Sequence, residues 1–168
     1  MRLFLLAGAL ISTPALAEAP APTAPLPPAA VAMIGPTLHV TDIGKSLRFY
    51  TEGLGLKLQM QMGPENRREY MVGFGSDPRQ PAFILLGNRT KTAPKRVTHG
   101  TGFDRLVMRV RSIAEVVARL RSMGYTVGDV REVAMGYRMA MAADPDGYRL
   151  ELVESAARPE KLNDPHPP

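Results

Sequence analysis

An α+β fold of two βαβββ modules, joined as a curved mixed sheet around a cleft, is what this sequence predicts. Three observations predict it. First, Asp144-Pro145-Asp146-Gly147 is a tight turn by mechanism, since Pro presets φ and Gly tolerates positive φ. The residues after it alternate with period two, which sets Tyr148, Leu150 and Leu152 on one face and Arg149, Glu151 and Val153 on the other. Second, a strand, a capped helix and a glycine stop occur twice, with Val40 matched by Val110 and Gly55 by Gly124 at an offset of about 70 residues, the mark of an internal duplication. Third, composition separates the folded stretch, residues 35–154, from its flanks.

The 168 residues carry, at the start, the features of an export signal. Arg2 supplies the positive charge, Leu3 to Ile11 a short apolar run, and Ala15-Leu16-Ala17 a cleavage site after Ala17. The apolar run is too short to span a bilayer, so the expectation is a periplasmic or secreted protein with no membrane insertion after signal removal. Residues 18–34 are rich in Ala and Pro and read as a semi-extended linker; residues 155–168 read as a disordered tail. The chain has no cysteine, which excludes disulfides, thiolate metal ligands and a lipid-modified cysteine anchor. The net charge of +5, or +4 once Arg2 leaves with the signal (5 − 1), is a mild excess with no Lys/Arg run interleaved with aromatics. No nucleic-acid partner is expected; an anionic small molecule is the economical use of such a charge.

In the first module, about residues 35–87, Thr37 to Thr41 alternates as a strand. Asp42 caps a helix that runs to about Glu52, buries Ile43, Leu47 and Tyr50, and stops at Gly53 and Gly55. Strands follow at Leu56 to Met62, Glu69 to Gly75 and, after a turn at Ser76 to Arg79, Pro81 to Gly87. A Thr, Lys and Gly-rich connection covers residues 88–102. The second module, about residues 103–154, repeats the order. Phe103 to Val110 is a strand, Ser112 and Glu115 form a capping box for a helix to Met123 that Gly124 ends, and strands follow at Tyr125 to Val133, Tyr137 to Ala143 and Tyr148 to Glu154.

These stretches resemble the vicinal oxygen chelate superfamily, which includes glyoxalase I, bleomycin-resistance proteins and extradiol dioxygenases. Three passages carry the resemblance: Val40-Thr41-Asp42 through Ser46 to Tyr50 with Gly53-Leu54-Gly55-Leu56; Gly102 to Val110 with its helix; and the turn and strand from Asp144 to Glu154. The resemblance implies a cleft between paired βαβββ modules, closed within one chain or across a homodimer. It also implies a divalent metal held from four strand positions, which fall here on Gly35, Leu85, Arg105 and Glu151. Gly has no side chain, Leu is apolar and a guanidinium has no lone pair to donate, so three of the four positions have lost ligand chemistry. No metal or other cofactor is expected.

Glu151 needs an explanation, because a charge in mid-strand is costly unless its face is solvated or lines a polar cavity. Parity places Arg105, Val107 and Arg109 on the cleft face, and Arg105 and Glu151 would converge where the metal sat. They either form a salt bridge that fills the position or hold a ligand's carboxylate or phosphate, with Arg109 or Arg149 beside them. His39 shares the face of position 35; it is a hydrogen-bonded wall residue, a ligand contact or, with Glu151 and waters, part of a displaced metal site. The apolar lining expected in the first module is Tyr70, Val72, Phe74, Phe83 and Leu85, with Thr37 as a polar handle; Met139 and Met141 line the second. The expected function is binding of a small anionic or amphipathic molecule in the cleft of a homodimer. The alternatives are a glyoxalase-type lyase or isomerase with Glu151 as base, and a dimerisation module that binds nothing.

Overall fold

The computed structural model describes residues 33–77, 82–88 and 95–155. The export signal and its cleavage site, almost all of the linker, and the tail beyond Ser155 lie outside the described residues. The first module is β1 (Thr37–Val40), α1 (Ile43–Arg48) continued by one wider helical turn (Phe49–Gly53), β2 (Lys57–Met62), β3 (Arg67–Gly73) and β4 (Ala82–Asn88). The second is β5 (Leu106–Arg109), α2 (Ile113–Ser122), a short β6 (Arg131–Glu132), a single 3₁₀ turn (Ala134–Gly136), β7 (Arg138–Ala143) and β8 (Arg149–Glu154). Each module makes its own four-stranded mixed sheet, in the orders β1-β4-β3-β2 and β5-β8-β7-β6. In both, the first strand runs parallel to the last and the remaining pairs are antiparallel. The duplication read from the sequence is therefore a duplication of topology.

Local chemistry accounts for the helices. Asp42 holds an extended backbone and its carboxylate accepts the Lys45 N–H at 3.1 Å, which satisfies one of the free donors of α1. Ser112 does the same for α2 through the Glu115 N–H at 3.4 Å. The buried stripe of the first helix differs from expectation: Ser46, Phe49, Tyr50 and Gly53 are buried, whereas Ile43 and Leu47 pack at its margin. The widened turn shifts the residues after Arg48 and brings Phe49 and Tyr50 side by side into the core. The strand expected over Tyr125 to Val133 is reduced to an isolated bridge, Val127 to Ala142, and the two residues of β6. Gly128 and Asp129, both poor strand formers, interrupt it.

One hydrophobic core serves both modules. Phe49 of the first packs edge-on against Tyr125 of the second, with ring centroids 4.8 Å apart. Gly53 approaches α2 so closely that a Cβ there would lie 2.7 Å from Leu120 Cδ2. The Asp144–Gly147 turn clasps the modules together. The Asp146 carboxylate accepts the Thr41 N–H at 3.1 Å and the Thr41 hydroxyl at 2.5 Å, while Tyr50 donates to Asp144 at 2.9 Å and Tyr148 to the His39 carbonyl at 3.0 Å. Gly147, at φ +84, closes the turn with its N–H on the Asp144 carbonyl. His99 belongs to this clasp as well: its Nε2 lies 3.0 Å from the Asp146 carbonyl and its ring packs on Tyr148.

Each sheet lays one face on this core; the opposite face carries the exposed and half-buried residues, although Met71 and Leu86 on it are buried. In the second sheet, Leu150, Leu152, Ala140 and Ala142 are buried, so Glu151, Val153, Met139 and Met141 look outward with Val107 and Arg109. In the first, Leu38, Val72, Phe83 and Leu85 are buried, so Thr37, His39, Glu69, Met71, Ile84 and Leu86 share the opposite face. No helix among the described residues is long and apolar enough to cross a membrane.

Candidate ligand-binding site

The open face of the second sheet carries the charged group that the sequence singled out. β5 lies beside β8 in the register Val107 to Glu151 and Arg109 to Val153, and β7 sets Met141 beside Glu151 and Met139 beside Val153. The face therefore reads in two rows, Val107-Glu151-Met141 and Arg109-Val153-Met139. Arg105 stands one step before β5 and donates from Nε to Glu151 Oε2 at 2.5 Å. Its Nη1 donates to Asp104, and Arg149 Nη1 reaches the other oxygen of the same Asp104 at 3.2 Å. The guanidinium of Arg105 is stabilised in its charged form first by Glu151 and then by Asp104, which push its pKa further up.

This geometry sorts the expected residues. Arg105 and Glu151 meet, as parity required. Arg149 is tied to Asp104, for which the Asp-Arg step at 104–105 is the only signal in the sequence; its bond to Arg149 spans 45 residues. Arg109 is exposed and has no acidic partner among the described residues. It sits beside Val107, which is 62% exposed, and across from Val153, so a fixed cation adjoins apolar surface. His39 is exposed on the other module's open face beside Thr37, and only its carbonyl takes part in the clasp.

Phe83 and Leu85 are corrections. Both were expected to line the cleft, and both are buried in the shared core, as is Val72; Tyr70 packs against that core. The run Phe83 to Leu86 is apolar at every position, so alternation cannot say which face is inward, and an error of one residue inverts the assignment. Register settles it. Thr37 faces Ile84 in the first module just as Val107 faces Glu151 in the second, so Ile84 is the counterpart of Glu151. The register thus aligns Ile84, and not the Leu85 that the resemblance implied, with Glu151. Gly35 holds φ +141, a conformation that side-chain-bearing residues rarely adopt, and its neighbour Pro36 takes the Ile84 N–H on its carbonyl at 2.9 Å. Among the described residues no three His, Asp or Glu side chains gather as a metal-binding group.

Comparison with known proteins agrees with the duplicated topology. The profile of the Glyoxalase/Bleomycin resistance protein/Dioxygenase superfamily matches residues 31–152. Lactoylglutathione lyase of Escherichia coli O157:H7 is 30% identical over 121 residues, covering 70% of this chain and 87% of that protein. Lactoylglutathione lyase GLX1 of Arabidopsis thaliana is 28% identical over 128 residues, 73% of this chain; the chain spans 44% of the length of that relative, and under half of the other plant relatives it matches. Among solved structures, the trypanothione-dependent glyoxalase I of Leishmania major superposes with a TM-score of 0.65 at 25% identity, over 79% of this chain and 92% of that one. With two βαβββ modules in register and a profile match across both, the chain belongs to the Glyoxalase/Bleomycin resistance protein/Dioxygenase superfamily.

Proposed function

We propose that this protein binds a small anionic or amphipathic molecule on the open face of its second sheet, without a divalent metal in the family's position. One observation carries the reading. Glu151 is already satisfied by Arg105, while Arg109 stands without an acidic partner among the described residues beside an apolar strip of Val107, Val153 and Met139. The donor set supports the second clause. Gly35 and Ile84 offer no side-chain lone pair, Arg105 is a permanent cation, and the remaining carboxylate accepts from that cation; a divalent ion needs several oxygen or imidazole donors to displace water. A ligand carboxylate or phosphate would take both donors of the Arg109 fork, and its apolar body would cover the valines and the adaptable methionines. A second copy of the chain, packed over the open faces, would complete the cleft, and the export signal would place it in the periplasm or outside the cell.

The test is a thermal-shift screen of purified protein over small carboxylates, phosphates and amphipathic antibiotics, with metal content measured on the same sample. Compounds that raise Tm should lose that effect in Arg109→Ala and keep it in Arg149→Ala. A stoichiometric tightly held transition metal would overturn the metal-free clause, and a panel with no stabilised state would leave a dimerisation module that binds nothing.

The identity of 30% over most of the Escherichia coli lactoylglutathione lyase supports a second reading, a glyoxalase-type lyase or isomerase. Glu151 would accept the proton of a carbon acid, and Arg105 would hold the enolate oxygen as negative charge builds there. The two groups are in contact, so a substrate oxygen would enter between them. Turnover of methylglyoxal–thiol adducts that is lost in Glu151→Gln and survives a chelator supports this reading; no turnover leaves the binder.

A further inference from the structure

The open face of the first sheet carries a sulfur cluster that the binding reading does not use. β2 and β3 pair Met60 with Met71 and Met62 with Glu69, so three thioethers and one carboxylate occupy four adjoining positions on one face. A bulge makes this happen. Lys57 and Leu58 pair with Gly73 and Val72, the register then shifts, and Met60 falls opposite Met71. Without the extra residue, Gln59 and Gln61 would face Met71 and Glu69, and both methionines of β2 would turn to the other side. The bulge is held in place: the Gln59 amide donates to the carbonyls of Gly75 and Asp77 at 2.8 Å each, and Gly73 leaves room for it, since a Cβ there would sit 2.4 Å from the amide nitrogen.

Packing does not explain the choice of residue. Met60 and Met62 are 38% and 42% exposed, and Met71, though buried, is not among the residues of the shared core. Strands favour β-branched and aromatic side chains, and a flexible unbranched one loses more rotamer freedom when held. Directly opposed residues stand about 5 Å apart at Cβ and diagonal ones about 7 Å apart, a spacing that long side chains can close on one central atom. Thioethers are neutral, soft donors: they hold Cu(I) and its analogue Ag(I), and they do not hold Mg, Ca or Mn, which take oxygen. Glu69 has no ion-pair partner among the described residues, and it would neutralise a monovalent ion.

We infer that Met60, Met62 and Met71, with Glu69 beside them, form a binding site for a soft monovalent metal ion such as Cu(I). The site lies on the first module and uses none of the residues of the Arg109 face, so its failure and the failure of the binding reading are separate events. The test uses the full chain labelled with 13C at the methionine methyls. Titration with Ag(I) should shift the methyls of Met60, Met62 and Met71 together and saturate at one ion, and Zn(II) should shift none of them. Cu(I), kept reduced with ascorbate, should be retained against a chromophoric Cu(I) chelator. The double variant Met60→Leu/Met62→Leu, close in volume and apolarity, should lose both responses, while Met139→Leu/Met141→Leu keeps them. Equal Ag(I) shifts at the exposed Met135, no saturation, or retention of binding by the Met60/Met62 variant would each overturn the assignment.

Discussion

Tyr50 donates its hydroxyl hydrogen to Asp144, a carboxylate that is 5% exposed and that also accepts the N–H groups of Asp146 and Tyr148. Burial pushes the Asp144 carboxyl above its ordinary range, against the pull of these three donors. A carboxyl raised on folding opposes the fold once ionised: its stabilising share is complete below the unfolded-state pKa and is lost as pH rises through the folded one. Tyr50→Phe removes one donor from the ionised form. It should cost about 1–3 kcal/mol at neutral pH, and the difference from wild type should shrink as the pH of urea denaturation is lowered toward the range where Asp144 takes up a proton. A difference independent of pH would mean that lost packing, not the hydrogen bond, is being measured. Glu154 answers acid in the opposite sense. Desolvation raises its pKa, but the Ile113 N–H at 2.6 Å and the Arg138 guanidinium at 2.7 Å together hold it below the usual carboxylate range. Its contribution is present above the unfolded-state value of about 4.3 and is lost as pH falls through the lowered one. Glu154→Gln should therefore lose stability at neutral pH and show a flatter acid limb than wild type.

At the scale of elements, β2 depends on its bulge. Gly73→Ala would drive a methyl into the Gln59 amide and displace it from the two carbonyls it bridges. The expected loss is about 1–3 kcal/mol, the order of two net hydrogen bonds, with amide exchange rising in β2 and unchanged in α2. If exchange stays at wild-type rates throughout, the amide tie does not hold the strand. What could be read in advance follows the range of the forces involved. The Asp144–Gly147 turn, both helix caps and the meeting of Arg105 with Glu151 were legible, because turn chemistry, capping and strand parity act within a few residues or across a single pairing. The bulge at Gln59 was not, since its cause lies in Gly75 and Asp77, 16 and 18 residues on and past the end of β3. Nor was the inward turn of Phe83 and Leu85, because a strand apolar on both faces has no alternation to read. Asp104 was hidden for a related reason: its meaning comes from Arg149, which only the parallel pairing of β5 with β8 brings near.

At the scale of the whole molecule, the duplicated modules share one core in place of two. Leu120 of α2 is fully buried and lies against Gly53, the last residue of the first helix, so the side chain that fills the second module also closes the first. The clasp adds directional bonds to this contact: Asp146 holds Thr41, Asp144 holds Tyr50, and Tyr148 holds the backbone of β1. Two separate cores of roughly 60 residues each would bury only about 60% of the surface their unfolded chains expose and would be marginal, so the joint core adds stability to both sheets. Leu120→Ala leaves a cavity at that joint and should cost about 2–5 kcal/mol. The more telling readout is where the loss is felt. In native-state hydrogen exchange, the slowest amides of β3 in the first module and of β8 in the second should lose protection by the same free energy, because both open only when the shared core opens. If β8 and α2 lose protection while β3 keeps its wild-type value, the modules unfold independently, and the clasp joins two folded bodies without making them one.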